Sequence, residues 1–65
     1  MNANDEDLVE QLLARVAALL EDASAVAVLQ GQGTVSERVT SVAAAIDQAR
    51  RLAEAAATLS QPGVT

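Results

Sequence analysis

The sequence predicts an all-α chain: an antiparallel two-helix hairpin, completed as a four-helix bundle by dimerisation or by a partner protein. Three observations carry that expectation. Two long stretches repeat apolar residues at alternating spacings of three and four, a glycine-containing segment separates them, and a helix-start signature follows that segment at once.

The first helix is expected over about 5–30. Asn4 or Asp5 can accept hydrogen bonds from the free N–H groups of the first turn. Asp5, Glu6, Asp7 and Glu10 then lie where the helix dipole favours negative charge. Val9, Leu12, Val16, Leu19, Ala23 and Val26 form a heptad seam, with Leu13, Leu20 and Ala27 beside it and Leu8 on its other edge. At 100° per residue the apolar arc spans roughly 140°, more than one neighbouring helix covers.

A loop is expected at 31–34. Gly31 suits the left-handed turn that ends helices, and Thr34 with Glu37 reads as a capping box. Gly31-Gln32-Gly33 is no phosphate loop, since no strand precedes it and neither a third Gly nor a Lys follows.

The second helix is expected over 35–60, with a seam of Val35, Val39, Val42, Ile46, Ala49, Ala53 and Ala56. Leu52 and Leu59 fall beside that seam. Asp47–Arg51 and Arg50–Glu54 are i,i+4 pairs on the opposite, solvated face. Pro62 cannot continue the helix, which leaves 61–65 as a tail. The whole chain reads as one domain.

Composition narrows the function. The 65 residues include no aromatic side chain and no Cys, and 15 of the 33 hydrophobic residues are Ala. Ala favours helices but buries little area, so an isolated hairpin of this composition should be marginal, with association the expected remedy. Nine acids against four Arg and no Lys give a net charge of −5, which argues against nucleic-acid and anionic-membrane partners. The acidic start is the reverse of a secretory signal, and no apolar run is longer than Ala25 to Leu29, far too short to span a bilayer. A cytoplasmic location is expected.

No catalytic, cofactor-binding or metal-binding residues are expected. His and Cys are absent, which removes the commonest general base and the usual metal ligands. Ser24, Ser36, Ser41 and Ser60 have no base in view, and the carboxylate pairs Glu6/Glu10 and Glu21/Asp22 map to polar faces. The expected function is a non-catalytic protein–protein interaction module, a shape shared by small bacterial regulators, inhibitors, adaptors and secretion co-chaperones. Leu13, Leu20, Leu52 and Leu59 are the expected protein-binding residues, and a dimer the expected homo-oligomer. The alternatives are a structural subunit that self-assembles through helix packing and, more remotely, an acidic nucleic-acid mimic.

Overall fold

The computed structural model describes residues 2–28 and 33–61. Helix α1 spans Ala3–Val28 and helix α2 spans Val35–Ser60, 26 residues each, packed against one another as a hairpin. The principal extents are 49 × 20 × 11 Å and the radius of gyration is 15.1 Å. A compact domain of this length would have a radius of about 11 Å. The hairpin is therefore a thin two-helix layer, one helix deep.

Helix α1 starts before Asn4 and Asp5, the positions expected to cap it. Asn2 takes the cap: its side-chain oxygen accepts from the Asp5 N–H at 2.9 Å, and its carbonyl accepts from the Glu6 N–H at 3.0 Å. Three short polar residues lie within four positions here, and Asn2 wins because it adds to the helix and still leaves Asp5 and Glu6 in the first turn. The expected stop at Gly31 lies outside the described residues.

Helix α2 begins with the full capping box. The Thr34 hydroxyl accepts from the Glu37 N–H at 3.0 Å, and the Glu37 carboxylate accepts from the Thr34 N–H at 2.9 Å. Gly33 enters this cap with φ +70°, and a Cβ built there would lie 3.0 Å from Glu37 Oε1. Gly33→Ala is thus expected to destabilise the fold by about 1–2 kcal/mol, from the left-handed backbone penalty plus the disturbed carboxylate. Urea denaturation checks this; a variant more stable than the parent would show that the left-handed turn is not kept.

The seams are where sequence and structure part. On α1 the partly buried residues are Asp5, Val9, Leu12, Val16, Leu19 and Val26, with Ala23 fully buried. On α2 they are Arg38, Val42, Ala45, Leu52 and Leu59, with Ala49 and Ala56 fully buried, and Asp47 partly covered on the outer face. The expected α2 seam shared only Val42, Ala49 and Ala56 with this set. Val35, Val39 and Ile46 are 69%, 61% and 50% exposed, and Ala53 is exposed too. Relative to the sequence expectation, α2 is turned by about 60° about its own axis.

Two physical causes favour that turn. The first is volume: Leu12, Val16 and Leu19 already fill the α1 side, so small Ala45, Ala49 and Ala56 let the helices approach where Ile46 and Val39 would overfill the seam. The second is Arg38. Its guanidinium donates to the Ala27 carbonyl at 2.7 Å and, through Nε, to the Val26 carbonyl at 3.3 Å. These are terminal carbonyls of α1 with no partner inside the helix, and the last turn of α1 carries no basic residue of its own. Only with α2 turned this way does Arg38 come to the seam. Arg38→Ala is expected to cost about 1–3 kcal/mol, as for other hydrogen bonds from charged donors. Arg38→Lys should recover only part of it, lacking the fork. Thermal melts of both variants decide; an Ala variant as stable as the parent would mean water serves those carbonyls equally well.

Candidate protein-binding face

The turned α2 sets the character of the two flanks of the hairpin. In heptad terms, one flank carries Leu13, Leu20 and Ala27 of α1 alongside Val39, Ile46 and Ala53 of α2. Each of these six residues is exposed. The other flank carries Arg15 and Asp22 of α1 with Ser41 and Gln48 of α2, and Leu8, 43% exposed, is its one large apolar side chain among the described residues.

The apolar flank is shaped as well as greasy. Two adjoining hollows run along it, of about 350 and about 240 Å³. The larger, near the loop, is lined by Ala27, Val35, Arg38, Val39, Val42, Ala43 and Ile46. The smaller is lined by Val16, Leu20, Ile46, Ala49, Arg50 and Ala53. Ile46 borders both and stands as a ridge between them. Their walls are almost wholly aliphatic; only Arg38 and Arg50 bring charge.

The sequence-predicted binding residues divide evenly. Leu13 and Leu20 lie on this flank, 48% and 46% exposed. Leu52 and Leu59 do not: both are partly buried in the seam. Val35, Val39 and Ile46, expected in the seam, stand on the flank instead. Among the expected seam residues, Val9, Leu12, Val16, Leu19, Val26 and Val42 are partly buried between the helices. Sequence reasoning missed Arg38 altogether. The available signal was that α1 ends without a cation, so that a basic residue just past the loop was placed to serve it.

Several of the remaining polar groups are occupied with local structure. Arg50 bridges Asp47 at 2.9 Å and Glu54 at 3.0 Å, and Arg51 meets Asp47 at 3.1 Å. The hydrogen bond from Arg50 and the nearby Arg51 charge hold the Asp47 carboxyl below its ordinary range. These pairs are solvated and contribute little to stability. The Ser60 hydroxyl donates to the Ala57 carbonyl at 3.1 Å, while Ser24, Ser36 and Ser41 are exposed. Glu6, Glu10, Glu21 and Asp22 are exposed too. Among the described residues, no three Asp or Glu side chains are grouped to hold a metal ion, and no helix is long and apolar enough to cross a membrane.

Comparison with protein-family models, with curated proteins and with solved structures finds no match to this chain.

Proposed function

We propose that this chain is a non-catalytic protein–protein interaction module whose apolar flank completes a four-helix bundle with a second helical layer. One observation carries the reading: Leu13, Leu20, Val35, Val39 and Ile46 form a contiguous exposed stripe, while the fully buried core among the described residues is three alanines. The large apolar side chains between the helices are themselves only partly buried. Monomeric proteins seldom leave such a stripe uncovered, and a layer one helix deep gains most of its missing burial from a second layer.

The distribution of the other residues favours this over the competing classes. A filament needs two different matching patches. Among the described residues the opposite flank has Leu8 as its one large apolar side chain, so a closed assembly through one face is the simpler use of this surface. A nucleic-acid partner would require free cations in a row, yet Arg38 is tied to α1 carbonyls and Arg50 and Arg51 to carboxylates.

The test is a pair of substitutions on the flank, Leu20→Glu and Ile46→Glu. Both positions are half exposed, so helix content by circular dichroism should persist. Association should be lost, whether seen as self-association by sedimentation or as capture of a partner from the source cell. Variants that associate like the parent would place the interface elsewhere.

A further inference from the structure

The apolar flank has a size pattern centred on one level of the hairpin. Along α1 it reads Leu13, Leu20, Ala27, and along α2 it reads Val39, Ile46, Ala53, each at intervals of seven. Leu20 and Ile46 border the same hollow, which places them side by side at the middle of the stripe. Each helix therefore carries a large residue on one side of this level and an alanine on the other.

We propose that the flank is covered by a second copy of this chain, related by a two-fold axis that crosses the helices at the level of Leu20 and Ile46. Each helix then lies antiparallel on its own counterpart. The proposal rests on the flank being a binding surface and adds what binds there and how.

Area is the first argument. The five large side chains of the stripe are 46–69% exposed. With the alanines among them they present roughly 500–700 Å², close to the ~800 Å² each partner gives to an interface of standard size. A second copy offers the same extent with the same chemistry, as an isologous contact requires.

Shape is the second. The two-fold sets Leu13 over Ala27 of the second copy and Val39 over Ala53 of the second copy, large on small at every off-axis position. The hollow beside Ala27, walled by Val35, Val39 and Ala43, is the space into which that Leu13 fits. On the axis Leu20 meets Leu20 and Ile46 meets Ile46.

Charge chooses between this axis and its rival. An axis running along the helices would also pair large with small, putting Leu13 over Ala53 and Leu20 over Ile46. It would, however, gather both acidic helix starts at one end of the bundle: Asp5, Glu6, Asp7 and Glu10 from each copy. Arg50 and Arg51, on the part of α2 that returns towards that end, are already paired with Asp47 and Glu54. The crossing axis sends the two acidic starts to opposite ends, each towards the loop end of the other copy, where Arg38 is positioned. With −5 on each chain, separating like charges decides the orientation.

The experiment uses the full chain, which has no cysteine of its own. Sedimentation equilibrium of the unaltered chain should give a dimer, with a melting temperature that rises with concentration. Leu20→Cys and Ile46→Cys, oxidised separately, should each form disulfide-linked dimers in high yield. Leu13→Cys should form them only when mixed with Ala27→Cys. Linkage appearing only in a mixture of Leu20→Cys with Ile46→Cys would establish the other axis and overturn this proposal, while leaving the flank as the binding face. A chain that stays monomeric at every concentration overturns the second copy as occupant; the wider reading is then judged by the partner-capture arm above. A dimer insensitive to Leu20→Glu that links in none of these mixtures overturns both.

Discussion

Leu19→Ala and Leu12→Ala are each expected to unfold a large fraction of the molecules in dilute solution. Both leucines are partly buried between the helices, in a seam whose fully covered members are alanines. Truncating a buried leucine costs about 2–5 kcal/mol, and partial exposure puts these sites near the lower end. A chain of 65 residues holds only about 3–10 kcal/mol in total at roughly 0.05–0.15 kcal/mol per residue. The seam leucines are thus a large share of everything that keeps the hairpin closed. Glu10→Ala and Arg51→Ala, on exposed positions, should shift stability by less than about 0.5 kcal/mol. Urea midpoints measured side by side decide the matter. Equal midpoints for the two sets would mean the faces have been misassigned.

The second large effect separates two residues six positions apart on α2. Leu52→Glu is expected to abolish the fold, and Ile46→Glu to leave it helical. Leu52 lies in the seam, where a carboxylate loses water and gains no cation; such a group costs several kcal/mol or forces the helices apart. Val16→Glu should behave the same way, since Val16 is partly buried on the facing helix. Ile46 is 50% exposed, and a Glu there can extend into solvent. Circular dichroism at low concentration distinguishes the cases. The sequence periodicity by itself assigns Leu52 to the flank and Ile46 to the seam, so this pair of variants directly tests the turn of α2.

That turn marks the limit of what could be read before the structure. Helix α1 was legible because most of its large residues fall in one arc: Val9, Leu12, Val16 and Leu19 admit one seam. The start of α2 was legible because a Thr and a Glu three residues apart satisfy a local, reciprocal pair of hydrogen bonds. The rotation of α2 was not. Runs such as Ala43-Ala44-Ala45 and Ala55-Ala56-Ala57 are apolar on every side, so a heptad can be threaded through them along more than one line. The choice falls to a contact between residues 11 and 12 positions apart, Arg38 with the carbonyls of Ala27 and Val26, which no helical period contains. Half of the exposed apolar flank followed the same fate. The exposure of Leu13 and Leu20 was legible from α1 alone, whereas that of Val35, Val39 and Ile46 on α2 depends on the rotation.

The alanine lining between the helices has a mechanical consequence. Interlocking of large side chains resists sliding, because each knob must climb out of its hole before the next one is reached. Between Ala45, Ala49 and Ala56 that corrugation is shallow. Moving α2 by seven residues along α1 keeps the heptad phase and exchanges Ala49 with Ala56. What opposes such slippage on α2 is Leu52 and Leu59 towards the chain termini, Val42, and the Arg38 clamp near the loop. Register in this hairpin therefore rests on a few side chains, the Arg38 clamp, Val42, Leu52 and Leu59, set among alanines. A loosened clamp would free the sliding coordinate before it melted either helix, and the amides of α1 closest to the loop would be the first to exchange with solvent.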